Sequence, residues 1–149
     1  GSVEFDDFGP IFFVRGGSSV DASCRCIGRN WWAEEQLSWA QGLEAVKCYQ
    51  AAKPDILISH ECPSNIVPYV TDPAFMERFH LGNSCPATLT GSLLEELHRI
   101  HKPDVHVFGH YHVSFDQMIG GTRYICIPPG TAVDFVRSQD KVCLASELS

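Results

Sequence analysis

The sequence predicts one α/β domain in which helices alternate with parallel strands and an antiparallel tail follows. Two apolar runs, residues 56–58 and 105–108, each come directly after a helical stretch, and this alternation is typical of parallel neighbours in one sheet. Of the 149 residues, 44% are apolar and 19% charged, so the chain can bury a core. The formal net charge is 11 − 18 = −7, which argues against a broad nucleic-acid-binding surface.

The first predicted elements are a strand at residues 11–14 and a helix that begins after Ser38. The strand is an apolar run that ends at Gly16-Gly17, and a polar loop follows it. Ser38 and Gln41 have the spacing of a capping box, and Pro54 ends the helix because proline disfavours helix in the residue before it. The predicted buried face of this helix is mostly apolar: Trp39, Leu43, Val46 and Gln50.

The pattern then repeats along the chain. A strand at 56–58 precedes a loop region at 61–87, in which we expect a short helix at 72–79 and a turn at Gly82-Asn83. A second helix at 90–101 leads into a strand at 105–108, again through a Lys-Pro-Asp sequence. Short strands at 113–118, 122–127 and 132–136, separated by glycine and proline turns, predict an antiparallel meander.

Histidines follow both predicted parallel strands at their carboxyl ends. His60 follows the strand at 56–58, and His110 and His112 follow the strand at 105–108. Ligand sites of open α/β sheets lie at this edge, and residues two apart on an extended segment point the same way. Imidazole binds transition metals well, so these three residues are candidate metal ligands. We expect the other histidines to be surface or packed residues: His80, His98, His101 and His106.

Three further side chains are candidates for substrate contact: Arg25, Trp31 and Glu61. Arg25 suits a phosphate contact or an ordinary solvated loop position, and Trp31 suits a substrate platform or packing of its own loop. Glu61 follows a candidate ligand, so it either touches substrate or supports His60. Cys62 has no identifiable base beside it and is a poor nucleophile candidate. The sequence therefore identifies no catalytic residue.

The seven cysteines are scattered and include no Cys-x-x-Cys pair. We expect reduced thiols in a cytoplasmic protein. No apolar run approaches the length of about 18 residues that a membrane span needs. Gly1-Ser2 has the form of a cloning remnant, and we set it apart from fold reasoning over residues 3–149.

Residues 55–63, Asp-Ile-Leu-Ile-Ser-His-Glu-Cys-Pro, and 108–112, Phe-Gly-His-Tyr-His, resemble the calcineurin-like metallophosphoesterase family. In that family one strand ends in a metal-binding histidine and a later strand ends in Gly-His-x-His. Residues 16–35 resemble a segment of small family members, and Pro129-Gly130-Thr131 resembles the Pro-Gly-Ser turn of the family. The resemblance implies a partial four-layer α/β/β/α sandwich with mixed sheets.

The resemblance also implies hydrolysis of a phosphate monoester or diester by two divalent ions (Mn, Fe, Zn or Ni) about 3.5–4 Å apart. By the family pattern, His60 and His110 would bind one ion and His112 the other. Because the ions supply positive charge, an acidic chain is compatible with a phosphate substrate. The resemblance does not extend to Asp-x-His, Gly-Asp-x-x-Asp or Gly-Asn-His, which carry the bridging carboxylate and the catalytic histidine and do not precede His60 here.

The sequence therefore favours an N-terminally truncated phosphoesterase domain that binds one metal ion or none and has little or no activity by itself. A fragment of this kind would expose a strand edge, and we expect it to form a homo-oligomer through that edge. Two alternatives remain open at this point. One is a non-catalytic binding or scaffold protein that keeps the phosphoesterase fold, and the other is a structural zinc protein that uses His and Cys ligands.

Overall fold

The computed structural model of the chain describes residues 1–5, 9–18, 25–71, 74, 77, 87–138 and 141–145. Its centre is a mixed sheet of six strands in the order β1–β2–β3–β4–β6–β5. The strands of this sheet are β1 (Ser2–Phe5), β2 (Gly9–Val14), β3 (Ile56–Ser59), β4 (Val105–Phe108), β5 (Phe115–Ile119) and β6 (Thr122–Cys126). The pairs β2–β3, β3–β4 and β4–β6 are parallel, and the two outer strands run antiparallel to their neighbours.

The helices connect the parallel strands. They are α1 (Trp39–Ala52), the single turn α2 (Val67–Val70) and α3 (Leu89–Ile100), and a 3-10 turn covers Ala33–Glu35. Both long helices begin at a side-chain cap: the hydroxyl of Ser38 accepts from the Gln41 N–H, and that of Thr88 accepts from the Gly91 N–H. The predicted α/β class is therefore confirmed, and so are both long helices, to within one residue at each end.

The helices cover one face of the sheet. The core on that face joins the sheet to α1 and α3 through these residues: Phe12, Val14, Leu37, Tyr49, Leu57, Leu94 and Leu97. Towards β6 it continues as a second cluster that includes Ile66, Phe108, Tyr111 and Tyr124. Together the two clusters bury almost the whole helix-facing side of β2, β3, β4 and β6.

A two-stranded hairpin lies against the opposite face. Its strands, β7 (Phe135–Ser138) and β8 (Lys141–Leu144), are antiparallel to each other and are not part of the main sheet. Val142 of the hairpin packs in a cluster with Val107 and Ile125. Phe13, whose side chain projects from the same face of β2, remains 40% exposed.

Two sequence predictions about packing are wrong. Within α1, Tyr49 is fully buried against Phe12, whereas Trp39 is 71% exposed and Leu43 is 51% exposed. Of the predicted stripe, Val46 packs against the core whereas Trp39 and Leu43 do not, because α1 docks through the side that carries Tyr49. The tail is also not a simple meander: β5 and β6 form the predicted hairpin, but β6 pairs on its other side with β4, parallel to it.

The edge beside β2 is occupied. Ser2 to Phe5 pair antiparallel with Phe12 to Gly9, and the backbone of Gly1 exchanges hydrogen bonds with Phe13 at 2.7 and 3.0 Å. The edge of β2 is thus covered by β1, and the first two residues take part in that pairing. The predicted turn at Gly82-Asn83, most of the predicted helix at 72–79, and His80 lie outside the described residues.

No helix within the described part of the chain has the length and apolar character to cross a membrane. The thiols of Cys26, Cys48, Cys62 and Cys126 are free.

Candidate functional site

Two histidines meet where adjacent parallel strands end. β3 is followed by His60 and β4 by Gly109-His110, and these strands are neighbours in the sheet. The Nε2 atom of His60 lies 3.0 Å from the Nδ1 atom of His110, and the two rings are nearly perpendicular, with centroids 4.8 Å apart. The structure therefore brings together two of the three histidines that the sequence predicts as ligands.

The backbone joins the two strand ends directly. The Gly109 N–H donates to the carbonyl of His60 at 3.0 Å, and the Tyr111 N–H donates to the Gly109 carbonyl at 2.7 Å. These bonds hold the segment that carries His110 against the segment that carries His60. The relative position of the two rings is thus fixed by main-chain contacts as well as by the rings themselves.

The segment His110-Tyr111-His112 is not extended, so our prediction of its conformation is wrong. His110 has φ = 66° and His112 has φ = 56°, both in the left-handed region, which non-glycine residues rarely adopt. Between them Tyr111 is buried, and its hydroxyl accepts a hydrogen bond from the Sγ of Cys62 at 3.4 Å. Left-handed residues of this kind cost about 1–2 kcal/mol each, and such strain clusters at functional sites.

Glycine 17 leaves room for the His60 ring. A Cβ atom at this position would stand 2.6 Å from Cδ2 of His60, which is closer than non-bonded carbons approach. The Gly17 N–H also donates to the carbonyl of Glu35 at 3.2 Å, so the loop after β2 and the 3-10 turn lie beside the site. The ends of β2, β3 and β4 therefore all contribute to one edge, as the parallel topology requires.

Charges nearby act on His60. Burial lowers the pKa of His60, and the positive charge of His112 lowers it further, while the carboxylate of Glu35 opposes both effects. The side chains of His112 and Glu35 therefore lie close enough to the His60 ring to change its pKa. Sequence reasoning gave Glu35 no separate role, because nothing in its local pattern shows that the 3-10 turn folds back towards β3.

Glu61, the residue after His60, is 2% exposed. Its Oε1 accepts a hydrogen bond from the Thr88 hydroxyl at 2.7 Å. Burial raises the pKa of Glu61, and hydrogen bonds from Thr88, Ser18, Gly91 and Thr90 oppose that rise. The carboxylate thus ties the loop after β2 to the first turn of α3. Its burial and these contacts favour a supporting role for Glu61 over a substrate contact.

Arg25 and Trp31 each contact a neighbour in their own loop. Arg25 is exposed and donates through Nη1 to the carbonyl of Asn30 at 3.3 Å. The backbone of Trp31 forms an isolated parallel β-bridge with Ile27. The indole nitrogen of Trp31 is buried and has no hydrogen-bond partner among the described residues. The buried position of the indole nitrogen favours the packing interpretation of Trp31, and the role of Arg25 stays a prediction.

The donor set fits part of a metal site. Two imidazole nitrogens bound at about 2.1 Å to one ion lie about 3.0 Å apart at the right angle of octahedral coordination and about 3.4 Å apart at the tetrahedral angle, so the separation of His60 and His110 is close to that of the octahedral arrangement. Across the described ranges, however, no group of three or more His, Cys, Asp or Glu residues is arranged to hold an ion. The histidine pair therefore fits one ion, and the described residues add no bridging carboxylate for a second.

Comparison of the chain with protein-family models and with curated protein sequences found no match.

Proposed function

We propose that this chain carries the metal-binding end of a phosphoesterase-type hydrolase domain of the calcineurin-like metallophosphoesterase kind. The observation that supports the proposal best is the 3.0 Å approach of His60 Nε2 to His110 Nδ1 at the carboxyl ends of adjacent parallel strands. Two divalent ions, when bound in such a domain, polarise a phosphate ester and activate water. His60 and His110 would hold one of them, and His112 would contribute to the other.

The proposed activity of this chain by itself is weak or absent. Divalent ions prefer sites in which carboxylates offset their charge, and the three histidines offer none. Glu61 is buried and engaged with Thr88, so it is not available as a ligand in this arrangement. Glu35 is the carboxylate whose charge reaches His60, and we expect it to contribute attraction at longer range.

The finer fold proposal is a partial four-layer α/β/β/α sandwich. It draws support from the helix layer on one face of the sheet and from the β7–β8 hairpin on the other, where Val142 packs on Val107. The 40% exposure of Phe13 on the hairpin side fits an apolar face that another layer would cover. We also propose self-association through this side of the domain, which light scattering at high concentration tests directly. The free thiols are consistent with a cytoplasmic location.

The alternative function is a non-catalytic binding or scaffold protein with the same fold. One observation favours it: no group of three or more candidate ligands is arranged around an ion position in the described residues. In that case the 3.0 Å contact between His60 and His110 is a structural hydrogen bond that ties two strand ends together.

A cobalt titration followed by absorption spectroscopy tests the proposal. We expect the chain to bind Co²⁺, and we expect His110→Gln to weaken binding at least about tenfold, because it removes one of two imidazole ligands. The matched control is His101→Gln: the ring of His101 contacts the Pro54 carbonyl at 3.1 Å, on another part of the domain, so this variant should bind Co²⁺ as the parent chain does.

Three other results lead to different conclusions. If the parent chain binds no Co²⁺ and does not hydrolyse a phosphodiester with Mn²⁺, the scaffold alternative is favoured. If it contains stoichiometric zinc that cannot be removed without unfolding, a structural zinc protein is favoured. Full turnover of bis(p-nitrophenyl) phosphate by this chain would contradict the proposal that it is impaired.

A further inference from the structure

A buried chain of hydrogen bonds runs across the helix-facing side of the sheet and ends beside the histidine pair. The hydroxyl of Tyr124 lies 3.1 Å from Nδ1 of His98, and Nε2 of His98 lies 2.9 Å from Nδ1 of His106. Nε2 of His106 lies 2.7 Å from Oγ of Ser59, which lies 2.6 Å from the carbonyl of Glu61. His106 is fully buried, and the other side chains of this hydrogen-bonded series, Ser59, His98 and Tyr124, are at most 9% exposed.

The Glu61 carbonyl, which is the last acceptor in this series, determines which group donates in each of the hydrogen bonds. A backbone carbonyl only accepts, so the Ser59 hydroxyl donates to Glu61 and its oxygen accepts from Nε2–H of His106. The Nδ1 atom of neutral His106 then accepts from Nε2–H of His98, whose Nδ1 in turn accepts from the Tyr124 hydroxyl. All donors and acceptors along the chain are satisfied, and both rings are neutral.

The final bond of the chain spans His60. The hydroxyl of Ser59 reaches over one residue to the carbonyl of Glu61, which closes a small ring around the backbone of His60. On the other side of that residue, the carbonyl of His60 accepts from the Gly109 N–H. The backbone of His60 is therefore held by hydrogen bonds from both Ser59 and Gly109.

We infer that His106 is a positioning residue, which acts through Ser59 to hold the turn that presents His60 to His110. The inference rests on the proposed function for its link to metal binding, but its geometric part is independent of any metal. Each group in the hydrogen-bonded series donates towards Ser59, so the bond from His106 to Ser59 is the one that acts directly on the turn at His60. Bonds farther from the turn, at Tyr124, should contribute less.

Two substitutions of His106 separate this role from simple packing. The side-chain nitrogen of glutamine in His106→Gln reaches the position of Nε2 and can donate to Ser59, whereas the shorter amide of His106→Asn ends near the position of Nδ1 and cannot. Ser59→Ala removes the same bond from the other end with a smaller change of volume. It keeps the test available if the variants of buried His106 do not fold.

Two further variants are controls. Tyr124→Phe removes the hydroxyl at the far end, where His98 and Tyr124 line a cavity of about 530 Å³ in which water can replace the lost donor. Val105→Ala is also in β4, but its side chain lies on the opposite face of the sheet, and it lowers stability without touching the chain of hydrogen bonds.

The first measurement is the imidazole ¹⁵N spectrum of the metal-free protein. We expect His106→Asn and Ser59→Ala to shift the His60 ring nitrogens away from their parent positions, and His106→Gln to restore them. Val105→Ala should leave those signals unchanged, and Tyr124→Phe should shift them less than Ser59→Ala does. Equal spectra for His106→Gln and His106→Asn would overturn the inference, and so would an unchanged His60 signal in Ser59→Ala.

The second measurement is Co²⁺ affinity. We expect His106→Asn and Ser59→Ala to weaken binding about tenfold or more, the size of effect that residues supporting a ligand usually have. His106→Gln should recover most of the loss. If Val105→Ala weakens binding as much as Ser59→Ala does, His106 supports the fold alone and the inference is wrong. If the parent chain binds no Co²⁺, the proposed function fails, and the ¹⁵N spectrum still decides the positioning role.

Discussion

Acidification from about pH 7.5 to about pH 5 is expected to destabilise the fold through His98. This residue is 9% exposed, and it uses one ring nitrogen to accept from Tyr124 and the other to donate to His106. Burial lowers the pKa of His98 from 6.5 to about 4, and the positive charges of Lys102 and His101 add to the effect. Protonation would place a charge in the core and turn the Nδ1 acceptor into a second donor.

The size of the effect follows from proton linkage. Because the folded pKa is below the unfolded value, the unfolded state binds the proton more tightly, and stability falls as the pH drops below about 6.5. The full difference of 6.5 − 4 corresponds to about 3 kcal/mol, which is reached only below about pH 4. At about pH 5 the loss from His98 is about 2 kcal/mol, a large part of the stability of about 5–15 kcal/mol that small domains have. Burial lowers the pKa of His106 as well, so its contribution has the same sign.

Urea denaturation followed by tryptophan fluorescence measures this loss. The informative quantity is the change in unfolding free energy between the two pH values, compared between the parent chain and His98→Gln. The glutamine amide can still donate to His106 but does not titrate, so we expect its pH dependence to be smaller by about 2 kcal/mol. His101→Gln is a comparison variant in which most of the parent dependence should remain, because the charge of His101 makes the smallest of the three contributions to the lowered pKa of His98. If His98→Gln and the parent chain lose the same stability on acidification, His98 is not held neutral in the core and the reasoning is wrong.

Gly17→Ala is expected to displace the His60 ring, because its Cβ would stand 2.6 Å from Cδ2, and a cobalt titration should show weaker binding. Gly109→Ala should leave binding unchanged, since a Cβ there meets nothing nearer than 3.8 Å, and equal effects would contradict the assigned contact. Alkylation with iodoacetamide and peptide mapping should label exposed Cys48 and spare Cys62, because burial raises the pKa of Cys62 to about 12. Rapid labelling of Cys62 in the folded chain would show that it is not in the core.

The bounds of α1 could be predicted because its end signals are local. Ser38 and Gln41 form the predicted capping box, and the helix ends before Pro54. The buried side of α1 could not be predicted in the same way. A helical stripe indicates which residues share a face, but the contact of Tyr49 with Phe12 depends on how α1 docks on the sheet. Trp39 lies on another side of the helix and stays exposed.

Strand pairing could likewise be predicted where the two strands are joined by a short turn, and not where they are far apart in the sequence. Gly120-Gly121 predicts the hairpin of β5 and β6, because a two-residue glycine turn suits that connection. The parallel pairing of β6 with β4 has no such signal, since residues 109–121 separate the two strands. The strand β1, which pairs with β2 at the sheet edge, was also not predicted, although only residues 6–8 separate the two strands.

The two histidines of the candidate site and the residues that hold them in place lie on or directly after the strands β3 and β4. The sequence predicts the position of the histidines but not the hydrogen bonds that support them. His60 and His110 each follow a strand, so the rule that parallel strands align their carboxyl ends is enough to bring them together. His106 was expected to be packed, and it is, but a buried imidazole needs partners for both nitrogens. Those partners come from β3 and α3, as Ser59 and His98, and no spacing along the chain indicates them. Ser59 directly precedes His60, and its hydroxyl both accepts from the core residue His106 and donates to the Glu61 carbonyl across the turn. One side chain therefore links the packing of the core to the turn that carries a candidate ligand.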